Sequence, residues 1–250
     1  MKKLIGILAA VLLLAFALPS KKKINIFLAG DSTCAIKETK AYPETGWGMP
    51  FVYFWDSSIN IINKAKNGRS TKTFISEGLW QSIISNAEEG DYVFIQFGHN
   101  DESPTKLDRY TPPNEFKNNL VKFINEAREK KAIPVLFTPV SRRNFDSTGK
   151  IMETHKIYSA LVKEVAAAER TLFIDLDEKS RALYQSFGEK NSKLLFLQLE
   201  PGVHPNYPNG KIDNTHFNEL GARYIAQIIL AEIKKTIPAL AQRVIQPIIK

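Results

Sequence analysis

Five apolar runs of strand length, separated by helix-forming stretches, constrain the fold of this 250-residue chain more than any other feature. The runs are continuous rather than alternating in polarity, which is typical of strands that are buried on both faces of a sheet. They are Ile24–Ala29, Ile59–Ile62, Tyr92–Phe97, Ile133–Thr138 and Leu172–Leu176.

Helical periodicity occupies the intervals between several of these runs. It covers Asn114–Lys131 and the region around Lys156–Ala168, and it recurs along an apolar face from Phe217 to Ile233 that stops near Pro238. Alternating strands and helices predict an α/β fold, a three-layer α/β/α sandwich whose parallel sheet has about five strands. The stretch from Glu189 to Lys211 contains Pro, Asn and Gly with little periodicity, so we expect a long loop there.

The first residues have the layout of a secretory signal peptide. Lys2 and Lys3 precede an apolar run from Leu4 to Leu18, and Ala15-Phe16-Ala17 offers a cleavage site of small residues. The run is shorter than the roughly 20 residues of a membrane span, although a retained N-terminal anchor is the alternative. We expect residues 1–20 to be removed on export to the periplasm or the medium, and residues 21–250 to form one domain without stable membrane insertion.

Composition narrows the possible partners. The net charge is +8, with 44% hydrophobic and 24% charged residues, which is ordinary for a globular protein. The basic residues are scattered and no nucleic-acid-binding motif accompanies them, so we expect no nucleic-acid partner. An anionic sugar polymer fits the sign of the charge. The single cysteine, Cys34, has no internal disulfide partner and is expected to pack as a small apolar side chain.

Four short polar clusters stand where the predicted strands end or the last helix begins. They are Gly30-Asp31-Ser32-Thr33, Asn67-Gly68-Arg69-Ser70, Gly98-His99-Asn100-Asp101 and Asp213-Asn214-Thr215-His216. The loops beyond the carboxyl ends of parallel strands line the ligand crevice of an open sheet. We place the fourth cluster on a loop directly before the last helix, where it can reach the same edge. The four clusters are therefore predicted to converge on one site.

The clusters contain the groups that acyl transfer requires. Ser32 is the candidate nucleophile, His216 the candidate base, and Asp213 the carboxylate that orients the base. Gly68 lets the backbone approach an oxyanion closely, and Asn100 offers an uncharged amide donor. Each cluster taken alone has a simpler alternative, a turn or a helix cap.

The other histidines are weaker candidates for the base. His155 lies in a helical, polar stretch and has no carboxylate in comparable register, and His204 is expected to face substrate or solvent in the long loop. His99 is expected to support the site beside Asn100. No ligand cluster calls for a metal ion.

The four clusters resemble the characteristic blocks of the SGNH, or GDSL-type, hydrolase superfamily. The resemblance implies a flavodoxin-like α/β/α fold and assigns the nucleophile to Ser32, oxyanion donors to Gly68 and Asn100, and the Asp-x-x-His pair to Asp213 and His216. These clusters, Gly46-Trp47-Gly48 and Gln96-Phe97 are similar to the rhamnogalacturonan acetylesterase branch. That likeness implies a cofactor-free esterase that deacetylates pectin-type polysaccharides.

Two other functions remain open from the sequence: a GDSL-type lipid esterase or lysophospholipase, and a carbohydrate-binding protein that retains the motifs without catalysis. Trp47 is predicted either to stack against a sugar or to pack as a buried apolar side chain at the start of the next helix. Four basic side chains are candidates for binding uronate carboxylates, because cations pair with carboxylates and arginine does so through two parallel hydrogen bonds. They are Arg69, Lys72, Arg142 and Arg143.

Overall fold

The computed structural model describes residues 22–246, so the predicted signal peptide lies outside the described residues. Its main sheet has five parallel strands: β1 (Ile24–Gly30), β2 (Ile59–Asn63), β3 (Tyr92–Gln96), β4 (Ile133–Phe137) and β5 (Leu172–Ile174). Their spatial order is β2-β1-β3-β4-β5, the order of flavodoxin-like folds. The predicted five-stranded parallel sheet is confirmed.

Helices cover both faces of the sheet. They are α1 (Gly48–Phe51), α2 (Thr71–Ser76), α3 (Leu79–Ile84), α4 (Pro113–Glu129), α5 (Lys156–Ala168), α6 (Leu176–Asn191), α7 (Glu219–Thr236) and α8 (Pro238–Ala241). One core forms where α2 to α5 pack on the sheet, and a second where α1, α6, α7 and α8 pack on the opposite face. The three-layer α/β/α sandwich is therefore confirmed.

Strand register brings the carboxyl ends of the central strands together. Gly30 of β1 is paired with Gln96 of β3, and Gln96 is paired with Phe137 of β4. The residues that follow these three therefore leave the sheet side by side, at one edge. This register places the first and third polar clusters next to each other.

The expectation of a long loop from Glu189 to Lys211 is wrong for residues 189–199 and confirmed for residues 200–210, which form no helix or strand. Helix α6 is interrupted at Gly188, whose φ is 73°, and then resumes to Asn191; a 3₁₀ helix covers Ser192–Leu195, and β6 (Phe196–Leu199) follows. Strand β6 pairs in antiparallel fashion with β7 (Lys211–Phe217) to form a separate two-stranded sheet. The four-residue β6 is too short to show a clear period, which is why its pattern is weak.

Two predicted boundaries also differ from the structure. Leu176 was expected to end the fifth strand but begins α6, because the Asp175 carboxylate caps that helix by accepting the Glu178 N–H at 3.3 Å. Phe217 was expected to begin the last helix but ends β7, and Asn218 caps α7 by accepting the Gly221 N–H.

Candidate active site

The turn after β1 presents Ser32 at the sheet edge. Asp31 closes this turn: its Oδ1 accepts the Thr33 N–H at 2.9 Å and the Thr33 hydroxyl at 2.7 Å, and its carbonyl accepts the Ala35 N–H. Burial raises the pKa of Asp31 against the effect of the Thr33 hydrogen bonds, since the carboxyl group has no exposure to water. Ser32 itself is 8% exposed and lines a cavity of about 470 Å³.

Strand β7 brings His216, the candidate base, to Ser32, the candidate nucleophile. His216 Nε2 lies 3.0 Å from Ser32 Oγ, and His216 Nδ1 lies 2.8 Å from Asp213 Oδ2. The other oxygen of Asp213 accepts the backbone N–H groups of Thr215 and His216. The three side chains therefore form one continuous hydrogen-bonded chain, although they come from opposite ends of the sequence.

The charge on Asp213 fixes the direction of the hydrogen bonds. Burial acts to raise the pKa of this carboxyl group, but the hydrogen bonds from His216 and the Thr215 N–H outweigh it and hold the pKa below its usual range. An ionised carboxylate only accepts, so His216 Nδ1 must donate to it. His216 Nε2 is then left to accept the proton of the Ser32 hydroxyl, as a general base does.

The structure corrects the expected setting of this pair. Asp213 and His216 were placed on a loop before the last helix, but they lie within β7, and Asn218 alone separates this strand from α7. Asp and Asn are depleted in strands, so the presence of Asp213 and Asn214 makes the sequence of β7 resemble that of a loop. The rigid strand fixes the spacing of the carboxylate and the imidazole.

Gly68 and Asn100 line the same cavity as Ser32. Gly68 has a φ of 76°, a left-handed conformation that favours glycine. Asn100 Nδ2 donates to the Arg69 carbonyl at 3.0 Å, and since an amide carries two hydrogens, one stays available. Within residues 22–246, neither the Ser32 N–H nor the Gly68 N–H makes a hydrogen bond. The cavity thus holds three unused donors beside the Ser32 hydroxyl.

Lys37 supports the nucleophile turn and was not singled out from the sequence. Its Nζ donates to the Ser32 carbonyl and to Asn67 Oδ1, and it pairs with Glu44 at 2.7 Å. The side chain is only 2% exposed. No local pattern distinguishes it from a surface lysine, because all three of its partners are set by the tertiary fold.

The other histidines lie outside the reacting pair. His155 has no carboxylate at the Asp-x-x-His spacing, but the fold supplies one from elsewhere in the chain: its Nδ1 lies 2.9 Å from Glu102 Oε2 in a fully buried position. His99 lines the cavity, and its ring centroid lies 4.3 Å from that of His155. Burial, together with the neighbouring His155 and Arg142, holds the pKa of His99 well below its usual range, so this ring is neutral. His204 lies near the rings of Tyr42 and Tyr207, tilted by 52° and 53° to them.

Trp47 is a core residue, so the alternative of a sugar-stacking platform is wrong. It is 1% exposed, and its ring packs against Phe51 and Phe137. The indole N–H donates to Gln96 Oε1, and Gln96 donates in turn to Thr33 Oγ1. The side chain therefore links the core to the nucleophile turn.

The candidate carboxylate-binding cations divide into two groups. Arg69 pairs with Glu77, and Arg143 is buried against Ser192 and Asn214. Neither these two residues nor the exposed Lys72 lines the cavity. Arg142 does line it, held by Glu102 at 3.2 Å and by Thr215 Oγ1 at 3.0 Å. Arg143 instead ties β7 to the main sheet through the carbonyl and the side chain of Asn214.

Metal binding and membrane spanning have no visible support in residues 22–246. This part of the chain contains no group of three or more His, Cys, Asp or Glu side chains arranged to hold a metal ion. Nor does it contain a helix with the length and apolar character needed to cross a bilayer.

Comparison with known proteins adds independent evidence. The sequence model of the GDSL-like lipase/acylhydrolase family matches residues 29–224. The chain is 41% identical to the rhamnogalacturonan acetylesterase RhgT of Bacillus subtilis (strain 168), over 86% of this chain and 91% of that protein. It is 37% identical to the probable rhamnogalacturonan acetylesterase YesY of the same organism, over 84% and 93% of the two chains.

A solved structure agrees in fold. The crystal structure of the protein YxiM from Bacillus subtilis superposes with a TM-score of 0.74 at 26% identity. The alignment covers 86% of this chain and 57% of that one, so the chain spans a little over half the length of this relative.

Proposed function

Because this chain belongs to the GDSL-like lipase/acylhydrolase family, we propose that it is an exported serine esterase that removes O-acetyl groups from rhamnogalacturonan. Its class is carboxylic ester hydrolase, specifically a carbohydrate acetylesterase that acts on a pectin-like polysaccharide. The observation that carries the chemistry is the hydrogen-bonded chain from Ser32 through His216 to Asp213 at the wall of an open cavity.

The first half of the reaction transfers the acetyl group to the enzyme. Ser32 Oγ attacks the acetyl carbonyl carbon while its proton passes to His216 Nε2, 3.0 Å away. The resulting imidazolium is stabilised by the ionised Asp213 carboxylate. A positioned base of this kind contributes about 10²–10⁴-fold to the rate.

The carbonyl oxygen, as it becomes negatively charged, accepts hydrogen bonds from the three unused donors. These are the N–H groups of Ser32 and Gly68 and the second hydrogen of the Asn100 amide. Loss of one such donor typically costs about 2.7–4 kcal/mol of transition-state stabilisation. As the tetrahedral intermediate collapses, the carbon–oxygen bond to the sugar breaks and His216 gives its proton to the departing hydroxyl group.

The second half regenerates the enzyme. A water molecule in the cavity gives a proton to His216 Nε2 and attacks the acyl carbon on Ser32. The same donors hold the oxyanion, and the Ser32 oxygen leaves with the proton from His216. Acetate is released, and no cofactor takes part in either half.

The cavity lining supports a short acyl group rather than a lipid chain. Within the described part of the chain, every lining residue except Gly68 carries a polar or charged side chain. A lipid esterase needs apolar walls around a long acyl chain, because burial of each CH₂ group contributes about 0.8 kcal/mol only when water is excluded. This lining favours acetylated sugars over lysophospholipids.

The hydrogen-bond geometry also argues against a binding protein that has lost catalysis. Both triad contacts lie within the 2.6–3.2 Å reach of a working nucleophile and base. A binding protein has no need for this alignment or for three unused donors at one point.

Acetate release tests the proposed substrate. The purified enzyme should release acetate from acetylated rhamnogalacturonan faster than from acetylated homogalacturonan or xylan, and should prefer nitrophenyl acetate to nitrophenyl octanoate. Ser32→Ala should abolish release while the thermal unfolding curve is retained. Faster release from xylan would contradict the substrate assignment, and a preference for octanoate would contradict the acetylesterase assignment.

Export rests on the N-terminal sequence pattern of Lys2, Lys3 and the apolar run that follows. A polysaccharide of the plant cell wall is reached only outside the cell. Expression of the full chain in a bacterial host should give a mature protein, outside the cytoplasm, that lacks the apolar run. A full-length chain confined to the cytoplasm, identified by intact mass, would contradict export.

A further inference from the structure

The charged groups of the catalytic cavity are not balanced. Of the five charged side chains in its lining, Glu44 pairs with Lys37 at 2.7 Å, Arg142 pairs with Glu102 at 3.2 Å, and the Asp213 carboxylate accepts the hydrogen bond of His216 Nδ1 at 2.8 Å. The remaining two, Lys106 and Arg109, form no ion pair with any residue of the range 22–246. The unpaired charge of this cavity is therefore positive.

Arg109 lies directly over the candidate oxyanion groups. Its Nη1 lies 3.4 Å from Asn100 Oδ1 and 3.5 Å from the Gly68 carbonyl, the outer limit of hydrogen bonding. A Cβ added at Gly68 would come within 3.0 Å of the same nitrogen. The guanidinium thus lies beside the two residues that are candidates to bind the oxyanion.

The Arg109 guanidinium also lacks a strong partner. Its Nε is buried and has no hydrogen-bond partner among the described residues, which is a costly state for a charged donor. A neutral acetylated sugar gives this group no counter-charge. A ligand carboxylate does, and arginine matches its two oxygens with two parallel hydrogen bonds.

The loop after β3 holds both cations in place. It is closed where Thr111 N–H donates to the Asp101 carbonyl at 3.1 Å, and one turn inside it joins the Arg109 N–H to the Lys106 carbonyl at 3.0 Å. Lys106 is exposed at the cavity rim, whereas Arg109 is half-buried deeper in. The two side chains therefore line one path into the site.

We propose that Arg109, with Lys106 at the rim, binds the carboxylate of a uronate residue in the substrate and makes the enzyme selective for acidic over neutral acetylated glycans. This inference rests on the proposed function, since it names how the same site recognises its polysaccharide. It replaces Arg69, Lys72 and Arg143, the sequence-based candidates that lie away from the cavity.

The proposal is tested by comparing the wild type and Arg109 variants on two forms of the substrate, one with and one without the uronate charge. Acetate release is measured on acetylated rhamnogalacturonan oligosaccharides with free uronates and on the same oligosaccharides after methyl esterification, which removes the negative charge. We expect the wild type to prefer the free acid in kcat/KM by about tenfold, the order of one charge-assisted hydrogen bond. Arg109→Gln should bring this ratio close to one, and Arg109→Lys should keep part of it.

Arg128→Gln is the matched control. Arg128 lies on α4, where its guanidinium binds the Glu169 carbonyl and Thr171 Oγ1, so its loss changes the net charge equally without touching the cavity. The control should keep the wild-type ratio. An unchanged ratio in Arg109→Gln, or a wild-type ratio of one, would overturn the anion site while acetate release still supported the esterase. Absence of acetate release from both forms, with nitrophenyl acetate still hydrolysed, would overturn the proposed polysaccharide and the anion site together.

Discussion

Single residues in this site work through partners that are distant in sequence. Ser32 Oγ is hydrogen-bonded to its candidate proton acceptor, His216 Nε2. The turn that carries Ser32 is supported by Lys37 and by the link from Trp47 through Gln96 to Thr33. Asp213 stays ionised because the His216 ring and two backbone N–H groups bind its oxygens. The properties of Ser32 and Asp213 in this site therefore come from their hydrogen-bond partners in the fold, and the residue types alone do not determine them.

Asp101 should make the free energy of unfolding depend on pH, and substitution of this one residue can isolate its contribution. Burial raises the pKa of its carboxyl group to about 7, although Thr71 donates its N–H and its hydroxyl to Oδ1. The folded state therefore holds this proton more tightly than the unfolded state, whose reference value is 3.8. This group lowers the free energy of unfolding as the pH rises from about 4 to about 7, by at most about 1.4 kcal/mol per pH unit.

Asp101→Asn should remove this component, because the amide keeps an acceptor for Thr71 and does not titrate. As the pH rises from about 4 to about 7, the unfolding free energy of the variant should increase relative to that of the wild type. Above about pH 7 the difference between the two should stay constant. Urea unfolding at several pH values measures it. A difference that stays constant across this range would contradict the buried, proton-binding carboxyl group.

At the scale of elements, the junction between β7 and α7 positions His216, the candidate base. Asn218 is its centre: its Nδ2 donates to the carbonyls of Leu194 and Phe196, and its Oδ1 caps α7. The helix approaches so closely that a Cβ at Gly221 would lie 1.9 Å from the Leu195 carbonyl oxygen. His216, five residues earlier, is held by this packing.

Gly221→Ala should destabilise the protein by at least the 1–3 kcal/mol typical of overpacking, because the contacted atoms are backbone. This exceeds the gain of about 0.5–1 kcal/mol that alanine brings to a helix interior. Activity should fall as well, since α7 must move away from the segment that holds β7. Thermal unfolding and acetate release measure the two effects.

Gly149→Ala is the control for this substitution. Its Cβ would face open space, so its cost is limited to the positive φ of 78°, about 1–2 kcal/mol. It should leave acetate release unchanged. Equal stability of Gly221→Ala and the wild type would contradict the close approach of α7.

At the scale of the whole molecule, the sheet explains why a site built from distant segments was visible in the sequence. Continuous apolar strands ending in Gly, Asp and Asn are local signals, and parallel order then places the ends of β1 and β3 at one edge. The groups that acyl transfer requires indicated the candidate roles of Ser32, Asp213 and His216, and the resemblance to the SGNH blocks assigned the same roles. The structure brings these three side chains together, and their roles stay predictions until activity is measured.

Other features had no local signal. Strand β7 combines Asp213 and Asn214 with an antiparallel partner, so its sequence resembles a loop. In the sequence, Lys37 and Arg109 both resemble surface cations. In the fold Lys37 has three partners, whereas Arg109 has no acidic partner among residues 22–246 and its Nε makes no hydrogen bond there. Only the assembled molecule distinguishes a supporting lysine from an unpaired arginine.

The most direct test of the account is covalent labelling of Ser32 by a fluorophosphonate probe, located by peptide mass spectrometry. A serine activated by His216 should carry one adduct on the peptide that contains Ser32, and His216→Ala should slow labelling by about 10²-fold or more. A folded wild type that stays unlabelled, or that carries the adduct on another serine, would contradict the proposed mechanism.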